Sequence, residues 1–480
     1  MKPDTTTIQL SSSDLTTPSV NVGNDSIVVN PVENTPSTNP LLLSDSELSS
    51  SPVAELSATV VQEKRNDDQM LDSSVKDVVV NSSETEEMNN NDNKDYVSPT
   101  PISTDQKMAS QPAVVSEPAE IKQEDKQVAE EEEEEEEEDE SIVVSIDPLS
   151  FPSNITNKEE RMNWMKKQLK ESTILESTTR TRKFDQKIQQ YISTKKCSAY
   201  IFMTWISTNR FFGKRELFSL ESVVKAHPHG CVFIVSRIMA SKEGREVIKP
   251  LLERGHNILP VAPDFSILFN GTPAHDWLER IKDGRLDPGS IAITQNLSNL
   301  LRLVILYKYG GVYLDTDMII LKDLSELKNS IGVQELDARR KNWNSVNNAV
   351  LIFDKEHPLL LRFMEEFNST FDGSLWGYNG PYMATRIIKK ILHDTRYQFN
   401  VMSPMAFYPV DWFNIHKFYK NPTVKNDTDW ANEMYYKVNK ESYGVHLWNK
   451  VSRSLNIEQG SIIGRLISEH CIICQDVHAT

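Results

Sequence analysis

The most informative part of the chain reads Asn296-Leu-Ser-Asn-Leu-Leu-Arg-Leu-Val-Ile-Leu-Tyr-Lys-Tyr-Gly-Gly-Val-Tyr-Leu-Asp-Thr-Asp-Met-Ile-Ile-Leu321. Its first half predicts a helix, because apolar residues recur at the i, i+3, i+4, i+7 spacing of one helix face, at Leu297, Leu300, Leu301 and Val304. Gly310 and Gly311 end the predicted helix. A short buried strand over residues 312–314 follows, so this stretch predicts a helix, a turn and a strand in succession.

Asp315 and Asp317 stand at the carboxyl end of the predicted strand. Carboxylates at positions i and i+2 of an extended chain project to one side, so both can reach one hard cation. A nucleotide-sugar diphosphate would supply further oxygens, and the cation would offset the charge of the departing nucleoside diphosphate. The pattern favours a metal-dependent transferase with a nucleotide-sugar donor, and a merely structural pair of aspartates is the alternative.

An Asp-X-Asp triplet alone is weakly specific, since roughly one is expected by chance in a chain of this length. A second triplet, Asp427-Thr-Asp429, lies in a polar segment with no strand before it, and we predict a solvated turn there. A calcium-binding loop is excluded at Asp315, because the further Asp, Asn and Gly residues at fixed offsets are missing. The helix, the Gly-Gly turn and the strand distinguish the first triplet from the second.

Strands and helices alternate before this stretch. Apolar runs at residues 199–206, 231–236 and 258–261 predict buried strands, and helices are predicted at residues 216–225 and 242–254. Strands that alternate with helices imply parallel crossover connections. We therefore expect a nucleotide-binding α/β sheet with its ligand at the carboxyl ends of the strands.

The composition divides the chain into three regions. Residues 1–150 contain few large apolar groups and an unbroken Glu run at 130–138, so we predict a disordered, acidic, low-complexity region. The Glu run is interpreted as a solvated spacer, with an extended stalk or a cation-attracting tail as alternatives. Residues 151–195 predict a helical neck, and residues 196–475 predict one folded domain.

The charge and hydropathy of the chain exclude two classes of partner. The 480 residues have a formal net charge of −17 and no clustered Lys/Arg face, which argues against a nucleic-acid partner. No apolar run approaches the length of a membrane-spanning helix, and the N-terminus lacks the order of a signal peptide.

The four cysteines are too few for a disulfide scaffold and lack the spacing of a complete Cys/His zinc site. Cys471 and Cys474 either form a disulfide or remain thiols. Asn-X-Ser/Thr triplets, which would fit a lumenal location if they were used, occur at Asn154, Asn270, Asn296, Asn368 and Asn426.

Residues 298–321 resemble the sugar-binding region with the DXD motif of the α-1,4-glycosyltransferases, the group of lactosylceramide 4-α-galactosyltransferase and α-1,4-N-acetylglucosaminyltransferase. Four further blocks are similar to that family, especially to its plant members, at residues 347–353, 376–382, 404–412 and 444–450. The resemblance extends from about Cys197 to Cys474.

The resemblance implies a GT-A-like α/β domain with a mixed central sheet, a UDP-sugar donor and a divalent cation, typically Mn²⁺. It also implies transfer with retention of configuration and a Golgi lumenal enzyme on a type II membrane anchor. No anchor precedes the acidic region in this sequence, so the cytoplasm stays open as a location. A second departure is Asn299, where many relatives have Asp, although plant-type members often have Asn as well.

Several candidate residues follow from the resemblance. Arg302 and Asn299 would act beside the donor sugar, and a surface ion pair is the alternative for Arg302. His446 would be a third protein ligand of the cation, or a histidine packed beside Trp448. Thr204 and Trp205 end the first strand, where Trp205 would stack on uracil or pack in the core.

Another group of candidates is assigned to the sugars. Asn347 and Asn348 would bind sugar hydroxyls or cap a turn. The acceptor side is assigned to residues that combine an aromatic platform with amide and carboxylate groups, namely Trp376, Asn379, Gly380 and Asp411.

The function predicted from the sequence is metal-dependent, retaining transfer of a hexose or N-acetylhexosamine from a UDP-sugar to a glycan or glycolipid hydroxyl. The alternative is a catalytically degenerate scaffold protein with the same fold. A glycoside hydrolase would instead need two carboxylates facing each other across the bond and no cation.

Overall fold

The computed structural model describes residues 152, 155–171, 173–175, 177–207, 210–337 and 342–478. The predicted disordered region and its Glu run lie outside the described residues.

Nine strands, β1 to β9, are formed by the described residues: Tyr200–Thr204, Cys231–Val235, Ile258–Val261, Gly311–Leu314, Met318–Ile320, Ser330–Asp337, Asn342–Phe353, Asn400–Met402 and Gly444–His446. Seven of them form one sheet of order β3-β2-β1-β4-β7-β6-β8, and β5 pairs with β9. Strands β3, β2, β1 and β4 are parallel, whereas β7 is antiparallel to β4 and β6. The expected mixed central sheet and its parallel first half are therefore confirmed.

Sixteen α-helices, α1 to α16, are formed by the same part of the chain: Lys158–Glu171, Thr179–Arg182, Phe184–Lys195, Lys214–Ala226, Arg237–Ala240, Lys242–Leu252, Phe265–Phe269, Pro273–Lys282, Ile293–Tyr309, Pro358–Thr370, Pro381–Ile391, Pro404–Phe407, His416–Tyr419, Lys425–Glu441, Asn449–Ser452 and Ile462–His470. None of the described helices is long and apolar enough to cross a membrane.

The sheet is buried on both faces, which explains its nearly continuous apolar strands. In β1, Phe202 packs on one face, where its ring stacks on Phe233 with 4.9 Å between centroids. Its neighbours Ile201 and Met203 point to the opposite face and join a second apolar cluster. Fully burying a side chain of this size contributes roughly 1.5–3 kcal/mol, so this strand is held from both sides.

The Gly-Gly turn ends α9 and starts β4, as the sequence predicts. Gly310 has a φ of 69° and Gly311 a φ of 100°, a region that favours glycine. A side chain at Gly311 would also collide with the carbonyl of Tyr200 on β1. The turn therefore lets α9 pack closely on the sheet and directs β4 into its centre.

Helices α1 and α3, which precede β1, pack directly on the sheet. Met165 of α1 and Phe184 and Ile188 of α3 are buried in the same cluster as Phe202. Lys196 ends α3 in the left-handed conformation, at a φ of 49°.

All four cysteines form disulfides, Cys197–Cys231 and Cys471–Cys474, with Cα–Cα distances of 5.5 and 5.2 Å. Of the two alternatives for Cys471 and Cys474, the structure has the disulfide. The Cys197–Cys231 bond joins the segment before β1 to the first residue of β2.

The second Asp-X-Asp triplet is not in a turn, so that prediction is wrong. Asp427 and Asp429 lie in the first turns of α14, and both are exposed. Acidic residues near a helix N-terminus are favoured by the helix dipole. The polar composition of the segment led to the prediction of a turn, although a helix begins there.

Candidate active site

Asp315 directly follows β4, and Thr316 and Asp317 form a turn before β5, so the prediction that an extended chain carries both aspartates is wrong. The chain leaves the central sheet here, because β5 pairs with β9 and no longer with β1 or β7. The Asp315 N–H donates to Ala349 O at 2.8 Å, and Leu447 N–H donates to Asp317 O at 2.8 Å. Side-chain ligand atoms of Asp315, Asp317 and His446 nevertheless all lie within 4.8 Å of one another.

Arg302 is buried beneath this turn and is not part of a surface ion pair, so that alternative is wrong. Its Nη1 lies 3.0 Å from Asp315 Oδ1 and donates to Asn348 O at 2.7 Å. Burial alone would lower the pKa of Arg302, but the charge of the Asp315 carboxylate and its hydrogen bond raise it overall. Arg302 is therefore a permanent cation that fixes Asp315.

Tyr313 contacts Asp315 from the sheet side. Its hydroxyl donates to Asp315 Oδ1 at 2.7 Å and lies 2.9 Å from the hydroxyl of Thr204. Burial raises the pKa of Tyr313, which keeps the phenol protonated. Thr204 thus supports the aspartate through Tyr313, in addition to ending β1.

Burial also raises the pKa of the Asp315 carboxyl, an effect that Arg302 opposes and that the Asp317 carboxylate increases. Asp315 Oδ2 accepts no hydrogen bond from the described residues, whereas Oδ1 has two donors. One oxygen is therefore fixed and the other is available to a ligand.

Asp317 is held from the C-terminal side of the domain. Asn449 N–H donates to Asp317 Oδ2 at 2.9 Å, and His446 Nε2 lies 3.4 Å from Asp317 Oδ1. Trp448 N–H donates to His446 Nδ1 at 3.0 Å, and its ring packs against the imidazole with 4.4 Å between centroids. Because Nδ1 accepts a hydrogen bond, the neutral imidazole has its proton on Nε2, facing Asp317. In this tautomer Nε2 faces Asp317, and ligation of a cation by His446 would need the other tautomer, so the ligand role of His446 stays a prediction.

A cavity of about 930 Å³ opens beyond the carboxyl ends of β1 and β4, above this turn. Its lining includes ten of the residues selected from the sequence: Thr204, Trp205, Asn299, Arg302, Asp315, Asp317, Asn347, Asn348, Trp376 and His446. This is the place where α/β sheets bind their ligands.

The amide side chains on the cavity floor form two hydrogen-bonded pairs. Asn348 Nδ2 donates to Asn299 Oδ1 at 3.0 Å, and Asn347 Nδ2 donates to Gln334 Oε1 at 2.8 Å. Both asparagines lie within β7, so neither caps a turn. Asn299 is therefore an uncharged member of a buried amide pair.

Trp205 lines the cavity and also packs against protein. Its ring meets Phe212 edge-on with 5.3 Å between centroids, and the Arg210 guanidinium lies 5.2 Å from its centroid. Its Nε1 donates to Arg210 O. One ring is thus fixed between a phenylalanine and a cation at the end of β1.

Three residues that the sequence assigned to the acceptor are not among the residues that line the cavity. Asn379 is buried and hydrogen-bonded to Asn296 and Asp372. Gly380 packs against Asn299, where a Cβ would lie 2.9 Å from Oδ1. Asp411 is exposed and accepts hydrogen bonds from Asn414.

Sequence reasoning missed residues that reach the cavity from α15, from the start of α11 and from the loop that contains Trp412. Lys450 Nζ lies 3.0 Å from the ring centroid of Trp376, and Arg453 pairs with Glu216 at 3.1 Å. Trp412 and Tyr382 contribute half-exposed rings. Lys450, Trp412 and Tyr382 stand in blocks that resemble the family, but only the fold brings these blocks to one cavity.

Two family models match the chain. The alpha 1,4-glycosyltransferase conserved region matches residues 352–478, and the glycosyltransferase sugar-binding region containing the DXD motif matches residues 213–337. The second match contains Asp315 and Asp317, and the first contains His446 and Lys450.

Similar proteins with curated names include transferases. Human lactosylceramide 4-alpha-galactosyltransferase is 30% identical over 267 residues, which are 53% of this chain and 70% of that protein. Human alpha-1,4-N-acetylglucosaminyltransferase is 26% identical, over 45% of this chain and 60% of that protein. An uncharacterized protein of Arabidopsis thaliana is 30% identical over 61% of this chain, and the match spans 45% of that protein's length.

Solved structures with a similar arrangement include the PaToxG glycosyltransferase and mouse xyloside xylosyltransferase 1. The first is 15% identical with a TM-score of 0.31, over 54% of this chain and 97% of that structure. The second is 14% identical with a TM-score of 0.31, over 52% and 97%.

The mixed sheet, the cavity and the Asp-Thr-Asp turn together define a GT-A-like glycosyltransferase domain. The chain belongs to the α-1,4-glycosyltransferase family.

Proposed function

We propose that the chain transfers a neutral sugar, a hexose or N-acetylhexosamine, from a UDP-sugar to a glycan or glycolipid hydroxyl, with retention of configuration and with a divalent cation such as Mn²⁺. The observation that supports this proposal is the convergence of Asp315 and Asp317 at the floor of one large cavity. The names of the similar transferases support the sugar classes and the hydroxyl acceptor.

Asp315 and Asp317 would hold the cation. Both offer carboxylate oxygens, the ligand type that Mg²⁺ and Mn²⁺ prefer, and Asp315 Oδ2 is not used within the described protein. When bound, the cation would supply electrostatic stabilisation for the leaving diphosphate.

The remaining residues of the turn keep these two carboxylates in place. Arg302 fixes Asp315, while the Asn449 N–H and His446 fix Asp317. Because these contacts come from α9 on one side and from β9 and α15 on the other, the two halves of the domain must be assembled for the site to exist. Supporting groups of this kind commonly change metal affinity 10- to 100-fold when they are removed.

The other parts of the cavity suit the other parts of the substrates. Trp205 at the end of β1 would stack on the uracil base. Lys450 of α15 would add positive charge close to the diphosphate, and the amides Asn347 and Asn348 would bind sugar hydroxyls. The half-exposed ring of Trp376 would face the acceptor.

The two disulfides suit an oxidising compartment, because thiols stay reduced in the cytosol. We therefore place the domain in the lumen of the secretory pathway, with the Golgi as the compartment that the family resemblance implies.

The experiment uses the full-length chain with a panel of UDP-sugars and Mn²⁺, and it measures donor hydrolysis and transfer to glycan acceptors. The Asp317→Asn variant should lose activity by at least about 100-fold, because a neutral amide is a poor ligand for a hard cation. Asp429→Asn is the matched control, since it changes the second, exposed Asp-X-Asp triplet. Full activity of Asp317→Asn, or activity that resists chelation by EDTA, would refute the proposal.

A degenerate scaffold is the second candidate, and the observation that favours it is Asn299 in place of a family aspartate. In that case the chain would bind UDP without turning over any donor, and Asn299→Asp would create activity. If the wild type is active, the amide at Asn299 is compatible with catalysis and the scaffold hypothesis fails.

A further inference from the structure

Asn296 is a buried residue of the cavity lining with an unused hydrogen-bond donor. It lies on α9, one turn before Asn299, and only 4% of it is exposed. Within the described part of the chain, its Nδ2 has no hydrogen-bond acceptor. A buried donor without a partner costs about 1–3 kcal/mol, so such groups in native proteins usually meet a ligand or an ordered water.

The orientation of the Asn296 amide is fixed by Asn379. Asn379 Oδ1 accepts from the Asp372 N–H at 3.1 Å, and Asn379 Nδ2 donates to Asp372 O at 2.7 Å. The same Nδ2 donates to Asn296 Oδ1 at 3.0 Å. Because a backbone donor and a backbone acceptor set the Asn379 amide, the oxygen of Asn296 must face Asn379, and its NH₂ group is left for another partner.

The surroundings of Asn296 favour a neutral partner. The cavity-lining residues contributed by the segments 291–299 and 375–382 carry no formal charge. The charged lining residues come from other segments, as with Arg210, Lys450 and Arg453. A hydroxyl group beside Asn296 needs no charge to offset its burial, unlike a phosphate or a carboxylate. The cation that reaches these segments, Lys450, has its Nζ over the Trp376 ring at 3.0 Å.

Asn296 also begins the triplet Asn296-Leu-Ser298, one of the glycan acceptor patterns in the sequence. Its burial in α9 leaves no room for a glycan on the folded domain, and Ser298 is engaged with Thr204 at 2.9 Å. The amide is thus free for a role inside the cavity.

We propose that Asn296 donates a hydrogen bond from Nδ2 to a hydroxyl oxygen of a bound sugar, and that Asn379 is the positioning residue that aims this amide. The assignment rests on the proposed function and adds a substrate-binding residue to it. The hydroxyl belongs either to the donor sugar or to the acceptor sugar, and the experiment distinguishes these sources.

The experiment measures KM and kcat of the full-length chain for donor hydrolysis without acceptor and for transfer to an acceptor. Asn296→Ala should raise KM about three- to tenfold for one of the two substrates, the usual loss for one neutral hydrogen bond. A rise in donor hydrolysis KM assigns the hydroxyl to the donor, and a rise in acceptor KM alone assigns it to the acceptor. Mono-deoxy analogues of that sugar then identify the hydroxyl. With one analogue the KM of the wild type should rise by the same factor, whereas the KM of Asn296→Ala should rise no further.

Asn379→Asp tests the positioning role. An aspartate at 379 no longer donates to Asn296 Oδ1, so the Asn296 amide should turn its NH₂ group toward the new carboxylate and its oxygen toward the sugar. The same KM should then rise while kcat changes by less than about twofold. With the deoxy analogue the KM of this variant should rise no further.

Unchanged KM values and an unchanged deoxy profile in Asn296→Ala would overturn the assignment. If Asn296→Ala does not fold, Asn296→Ser replaces it, and failure of both to fold would show that the amide is structural. A wild type that neither hydrolyses nor transfers any UDP-sugar would refute the proposed function and this assignment with it, whereas an active wild type with an indifferent Asn296 refutes only the assignment.

Discussion

The Nε2 atom of His446 lies 3.4 Å from Asp317 Oδ1, while Nδ1 on the other side of the ring accepts the Trp448 N–H at 3.0 Å. Ligation of a cation through Nε2 would require a lone pair there and a proton on Nδ1, where Trp448 already places one. We therefore predict that His446 orients Asp317 and is not itself a ligand of the cation, the role that its sequence context suggested.

Two amide substitutions separate these roles. His446→Gln places an NH₂ group near the position of Nε2, and His446→Asn places an oxygen near that of Nδ1. We expect the glutamine variant to keep the apparent Mn²⁺ affinity within about threefold and the asparagine variant to lose about tenfold or more, as outer-shell changes do. Mn²⁺ titration of donor hydrolysis measures both. If both variants lose the same factor in apparent Mn²⁺ affinity, and that factor exceeds about tenfold, the imidazole is itself a ligand.

Periodicity and local chemistry predicted most of the fold. The helix before Gly310, the buried strands and their parallel order follow from residue patterns, because each element is internally consistent. The antiparallel insertion of β7 beside β4 does not follow, since it depends on contacts between segments far apart in the chain. Resemblance to a family supplied the mixed sheet that periodicity could not.

The candidate site was predicted less completely. Asp315 and Asp317 could be selected because a strand and a Gly-Gly turn mark them, whereas Asn296 looks like an ordinary polar position of an apolar helix. Asn379 and Gly380 were assigned to the acceptor by residue type, but the Asn379 side chain is hydrogen-bonded to Asn296 of α9 and Gly380 packs against the same helix. Residue type predicts chemistry, and only packing decides which surface a side chain faces.

Glu221 ties the C-terminal disulfide loop to α4. Its Oε2 accepts backbone N–H groups of three consecutive residues, Ile472, Ile473 and Cys474, at 2.6, 2.8 and 3.2 Å. Glu221→Ala leaves these donors unpaired in a partly buried loop, so we expect a loss of about 3 kcal/mol in the free energy of unfolding. Urea denaturation measures it, with the exposed Glu433→Ala as a control expected to change stability by less than about 0.5 kcal/mol. Equal stability of the two variants would show that the loop is held by other contacts.

His227 should make stability depend on pH. It is buried, its Nδ1 lies 2.9 Å from Val223 O, and its Nε2 accepts the Leu324 N–H at 2.9 Å, so the folded state keeps the ring neutral. Burial lowers the pKa of His227, and the nearby Asp323 carboxylate only partly opposes this. At pH values above the unfolded pKa of about 6.5 the ring is neutral in both states and contributes no pH dependence.

As the pH falls below that value, the unfolded chain binds a proton that the folded chain does not, so stability decreases until the folded pKa is reached. The slope from this one group is at most about 1.4 kcal/mol per pH unit. Urea denaturation between pH 7 and 5 of the wild type and of His227→Gln measures it, because the other histidines contribute to both proteins. Parallel stability curves for the two proteins would contradict the prediction.

Trp412 provides a test of the acceptor side that leaves the donor side intact. Its ring lines the cavity, is 49% exposed and stacks on Phe413 with 3.6 Å between centroids. Trp376 is less suitable, because Lys450 lies over its ring and a change there would also disturb a cation of the cavity. Exposed aromatic rings at a cavity mouth bind the apolar faces of ligands, and losing one such contact costs about 1–1.5 kcal/mol. Trp412→Ala should therefore raise the acceptor KM about tenfold while donor hydrolysis without acceptor stays within twofold of the wild type.

Trp430→Ala, which removes a similarly exposed ring from α14 outside the cavity lining, should leave both unchanged. A rise in the donor KM of Trp412→Ala, or an equal effect of Trp430→Ala, would place the acceptor elsewhere on the domain.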